Sequence, residues 1–145
     1  MILRLIISVL LMLSYAVPAI AHEMRPGYLE LKETAEHRFS VTWKVPMKGD
    51  AVMRLSPELP VHCTEQSPPS RRMIQAAMLQ QWSVICPGGI SQGVIHIEGL
   101  RKTLTDVLVR IEYLGGTTQT TRLTGLQPGF TVSGEPSSYE VVLTY

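Results

Sequence analysis

Gly99-Leu100-Arg101-Lys102-Thr103-Leu104-Thr105-Asp106-Val107-Leu108-Val109-Arg110-Ile111-Glu112-Tyr113-Leu114-Gly115-Gly116-Thr117-Thr118-Gln119-Thr120-Thr121-Arg122-Leu123 is the stretch that decides the fold of this 145-residue chain. Two β-rich runs flank Gly115-Gly116, and glycine enters the positive-φ region of tight turns without steric cost. Strand side chains alternate between faces, so Val107, Val109, Ile111 and Tyr113 share one face while Asp106, Arg110 and Glu112 share the other. This is the pattern of a half-buried antiparallel strand with a core on one side. The register follows from the same pattern. A two-residue turn at Gly115-Gly116 would set Arg122 opposite Val109 and place a charge on the core face. A three-residue loop, Leu114 to Gly116 with Gly116 left-handed, instead sets Leu123 opposite Val107 and Thr121 opposite Val109. A one-residue slip swaps the face of every side chain, so the apolar match selects the three-residue loop.

The length suits one domain, preceded by a segment that does not belong to it. In Met1 to Ala21, Arg4 supplies a short positive start, Leu5 to Leu13 is apolar apart from Ser8, and Ala19-Ile20-Ala21 is a small-x-small cleavage site. This is the pattern of a secretory signal peptide; the apolar run is short for a bilayer span and lacks a basic far flank. The mature domain is then residues 22–145, periplasmic or otherwise extracytoplasmic. Of 13 basic residues one is Arg4, so the mature chain balances 12 acidic residues and carries no electrostatic footprint for nucleic acid. Cys63 and Cys86 are the 2 cysteines. In an exported chain they read as one structural disulfide, because their spacing is far from the C-x-x-C of metal and redox pairs.

Further strands are expected at Gly27 to Glu33, Arg38 to Val45, Ala51 to Leu55, Trp82 to Cys86, Val94 to Glu98, Phe130 to Val132 and Tyr139 to Tyr145. Thr34 to His37 and Met47 to Asp50 read as turns, and Pro46 as the end of the second strand. Ser56 to Pro60 reads as a breaker. Arg71 to Gln81 carries residues that suit a helix, but extended structure fits its neighbours better. About eight or nine short strands at this spacing predict an antiparallel, immunoglobulin-like β-sandwich, with Trp43 and Trp82 in its core and Trp82 near the disulfide.

No catalytic constellation is visible: there is no Gly-x-Ser-x-Gly elbow, and Cys86-Pro87-Gly88-Gly89 lacks the lysine of a phosphate loop. The four histidines, His22, His37, His62 and His96, form no H-x-H or H-E-x-x-H pair. His37 falls in a turn and His62 beside the disulfide. His96 and Glu98 share a strand face and could supply half of a metal site, although a polar solvent face also accounts for them. Cleavage after Ala21 would give His22 a free amine, whose nitrogen and imidazole could together chelate Cu(II) or Ni(II). The sequence nominates no second imidazole for that chelate.

Several blocks together resemble the extracytoplasmic N-terminal domain of HupE/UreJ-like membrane proteins. They are Ala21-His22-Glu23 with Arg25-Pro26 and Tyr28-Leu29-Glu30-Leu31, then Trp43-Lys44-Val45-Pro46 with Gly49-Asp50. Trp82 with Cys86 and Gly88-Gly89 follows, then Gly99-Leu100, Thr103-Leu104-Thr105-Asp106-Val107-Leu108-Val109-Arg110, Thr117 to Thr120, Leu123 and Phe130. The resemblance implies a non-catalytic periplasmic binding or docking domain at the inner membrane. Its partner would be a membrane-embedded region of the same or a neighbouring protein, with a link to nickel or other metal transport. The intramembrane residues that would carry transport are not in this sequence, so the resemblance assigns no metal site and no resident cofactor to any position. A fragment, a split-gene product and a soluble relative all fit this departure. A free periplasmic Cu/Ni-binding protein using His22 and a structural adhesion-type sandwich remain as different expectations.

Overall fold

The computed structural model describes residues 25–134, which form an all-β sandwich of two sheets stapled by one disulfide. The segment read as a signal peptide, His22 and the strand expected at Tyr139 to Tyr145 lie outside the described residues. Eleven strands are described, more than the expected eight or nine. They are β1 (Gly27–Ala35), β2 (Arg38–Lys48), β3 (Ala51–Val52), β4 (Ser56–Glu58), β5 (Thr64–Glu65), β6 (Ser70–Ile74), β7 (Ala77–Ile85), β8 (Val94–Glu98), β9 (Val107–Glu112), β10 (Thr118–Leu123) and β11 (Gly129–Thr131). The larger sheet runs β10-β9-β1-β2-β7-β5, with β3 on β2 and β6 on β7; the smaller runs β11-β8-β4.

The β9–β10 hairpin has the expected register, with Leu123 opposite Val107 and Thr121 opposite Val109. Gly116 closes its three-residue loop at φ 88°, accepting no Cβ penalty there. Tyr113 N donates to Thr117 O and Gly116 N to Tyr113 O, which closes the loop with two backbone hydrogen bonds. Arg71 to Gln81 is extended, as the β6–β7 hairpin turning at Gln75-Ala76.

Three expectations are corrected. The large sheet is not wholly antiparallel, because β1 pairs with β9 in parallel, Leu29 beside Val109 and Leu31 beside Ile111. Pro46 does not end β2, which continues to Lys48 with Pro46 opposite Ala77. The Pro46 carbonyl accepts from Met53 N, so its ring nitrogen faces the same side, beyond the start of β1 where no ladder bond is lost. Ser56 to Glu58 is not a breaker but the edge strand β4, paired with β8. An edge position is where a strand tolerates a proline such as Pro57.

The core lies between the sheets. Leu29 and Leu31 of β1, Phe39, Val41, Trp43 and Val45 of β2, and Val107, Val109 and Ile111 of β9 are essentially inaccessible to solvent. They meet Ile95 and Ile97 of β8 together with Ile90, Leu100 and Val132 in one apolar cluster. Burying each such aliphatic side chain contributes about 1.5–3 kcal/mol. Trp82, Val84 and Cys86 join the same cluster, and the Cys63–Cys86 bond ties the segment after β4 to the end of β7.

Candidate functional site

The smaller sheet faces inward with Ile95 and Ile97, so β8's alternation turns His96 and its neighbour Glu98 outward. The β4–β8 register then places Glu58 directly across from His96, and Ser56 across from Glu98. His96 Nδ1 and Glu58 Oε2 are 2.9 Å apart. The ligand atoms of Glu58, His96 and Glu98 all lie within 4.8 Å of one another. Glu58 and Glu98 are exposed and His96 half-buried. The carboxylate of Glu98 makes no hydrogen bond or ion pair among the described residues. On the other flank of β8, Gly129 of β11 lies beside His96. A Cβ at Gly129 would meet the His96 ring carbon Cδ2 at 3.1 Å and Ile95 O at 2.9 Å, so the imidazole is seated close against β11.

The half-site expected from His96 and Glu98 thus gains a third donor, Glu58. Sequence reasoning placed Glu58 in a breaker and missed it. The only signal available was its position in a short polar run between two apolar ones, which does not reveal a cross-strand partner. One imidazole nitrogen and two carboxylates on a solvent-facing sheet can hold a proton between them or coordinate a cation.

The other described histidines, His37 and His62, stay apart from this cluster. His37 occupies the β1–β2 turn at φ 60°, with its ring 3.7 Å from Glu36. His62 Nε2 lies 2.7 Å from Gly89 O, beside the disulfide, and joins no metal-capable cluster among the described residues. Cys63 and Cys86 are bonded to each other.

A second surface feature lies at the start of β9. Leu104 is 87% exposed and Leu108 38% exposed, and both line a shallow depression with Pro26, Asp106 and Arg122. Arg122 Nε donates to Asp106 Oδ2 at 2.9 Å, which fixes one wall. Across the outer face of the β1–β9 pair runs a charged ladder: Lys32 Nζ is 2.9 Å from Glu112 Oε1, and Arg110 reaches Glu112 at 3.3 Å. The hydrogen bond from Lys32, helped by both cations, holds the Glu112 carboxyl below the ordinary carboxylate range. Burial, with a hydrogen bond to Glu30, pushes the Tyr28 phenol above its usual value. These groups pair with one another, which is the behaviour of a solvated face rather than of a catalytic one.

Compared with known proteins, the chain matches no family model and no curated protein.

Proposed function

We propose that this chain is an exported, non-catalytic docking domain that works beside the membrane-embedded region of a HupE/UreJ-type protein. The observation that carries the reading is the apolar ledge of Pro26, Leu104 and Leu108 beside the Asp106–Arg122 pair. Leu104 and Leu108 lie together with Pro26 along one depression, a contiguous apolar surface of the kind that a neighbouring apolar surface covers. Pro26, Leu104, Asp106 and Leu108 also fall in the sequence blocks that carry the resemblance. The amino-terminal pattern of Met1 to Ala21 and the disulfide agree with delivery to an oxidising compartment.

The test is co-purification of the full chain with the membrane region in detergent. Leu104→Glu and Leu108→Glu together should abolish recovery of the partner. Met73→Glu, on β6 near the opposite edge of the sheet, should leave it unchanged. Full recovery by the double variant would overturn the ledge as the contact and point instead to pairing along an edge strand.

A further inference from the structure

We propose that Glu58, His96 and Glu98 form a binding site for one divalent transition-metal ion of the Zn(II) or Ni(II) class. The site lies on the outer face of the smaller sheet. An imidazole in the donor set selects such ions over Mg(II) and Ca(II), which prefer oxygen alone, and the two carboxylates supply charge neutralisation. Metal–ligand bonds of roughly 2.0–2.2 Å put neighbouring donor atoms about 3–3.5 Å apart. The His96 Nδ1 to Glu58 Oε2 spacing of 2.9 Å is already near that separation. Glu98 lies within 4.8 Å and is exposed, so a rotation of its side chain brings it into the shell.

Two features distinguish the trio from an ordinary surface ion pair. Glu98 adds a second carboxylate that has no cation of its own among the described residues, so the described cluster carries uncompensated negative charge at the imidazole. The close seat of the His96 ring against Gly129 restricts the imidazole, lowering the ordering cost of binding. When metal binds, Nδ1 becomes a ligand and the ring proton resides on Nε2. With three protein donors and exposed carboxylates, water fills the remaining positions. Closed four-ligand shells mark structural sites, so this one holds its ion exchangeably. The inference is independent of the docking ledge, which uses none of these residues.

The test is calorimetric titration of Zn(II) into the disulfide-intact chain carrying His22→Ala, so that the amino terminus does not contribute an imidazole. Binding at one ion per chain is expected, weakened at least tenfold by His96→Ala and several-fold by Glu98→Gln. His62→Ala should bind like the parent. All three positions are surface-accessible, and matching near-ultraviolet circular dichroism confirms that each variant is folded. Tetrahedral or five-coordinate absorption bands with Co(II), lost in His96→Ala, provide a second readout. No saturable binding below about 1 mM, the weak end of useful affinity, would overturn the site. So would equal affinity in His96→Ala.

Discussion

Replacing Gly99 by alanine strikes the corner where β8 leaves the smaller sheet. Gly99 has φ 85° and a Cβ there would stand 2.3 Å from the carbonyl oxygen of Arg54. Even a weak C–H···O contact keeps about 3.3 Å, so roughly 1 Å of backbone movement is needed. That movement displaces the segment leading through buried Leu55 into β4. The left-handed conformation costs an L-residue roughly 1–2 kcal/mol, and overpacking against backbone about 1–3 kcal/mol more. Reduced freedom of the unfolded chain returns about 0.4–1 kcal/mol. The net loss is about 1–5 kcal/mol, centred on about 3 kcal/mol or roughly 12 °C in Tm for a domain of this size. Gly116→Ala is the internal control, because its φ of 88° imposes the same conformational cost with no atom within 4 Å of the new methyl. It should lose about 1 kcal/mol and at most about 4 °C. Scanning calorimetry of both variants with the disulfide intact measures the contrast. Equal shifts would refute the close approach of Gly99 to Arg54, and with it the described packing at this corner.

Other perturbations read other joints. Removing both cysteines opens a loop of 23 residues' separation and should cost about 3 kcal/mol by chain entropy, seen as a lower urea midpoint. Glu33 accepts from His37 N at 3.1 Å and from Leu114 N at 3.0 Å, tying the β1–β2 turn to the β9–β10 loop. Glu33→Ala should therefore cost about 1–3 kcal/mol, with amide exchange of Leu114 accelerated; unchanged exchange there would contradict the tie. For Glu112, Lys32→Met should return the carboxyl toward its ordinary value in a carbon-13 titration. Because the folded-state value is depressed, its stabilisation is present above the ordinary carboxylate range and is lost as pH falls through the lower folded value. The acid limb of the stability curve should flatten in the variant, and an unmoved titration would remove Lys32 as the main cause.

Local alternation carried most of what could be read beforehand. The face assignments of β1, β2, β8 and β9 follow from the period of two. The β9–β10 register follows because only one loop length keeps Arg122 off the core face. Where partners are distant in sequence, alternation is silent. Nothing in Tyr28 to Leu31 tells whether its neighbour is Val107 to Ile111 or in which direction it runs, so the parallel pair could not be derived. Pro46 and Pro57 misled because a proline's cost depends on whether its missing N–H faces a partner, a property of the assembled sheet. The Glu58–His96–Glu98 trio was half legible for the same reason: His96 and Glu98 are two apart on one strand, while Glu58 arrives through a cross-strand register.

The parallel seam between β1 and β9 also sets the order in which the domain can be completed. A chain made amino end first presents β1 and β2 early, and they can pair at once. The other flank of β1 has no partner until residues 107–112 emerge, after every strand of the hairpins between has been made. During that interval a row of unsatisfied backbone groups, backed by Leu29 and Leu31, is an adhesive template for any extended chain nearby. Closing so long a loop is slow, so the nascent domain is most vulnerable to aggregation and proteolysis before β9 arrives.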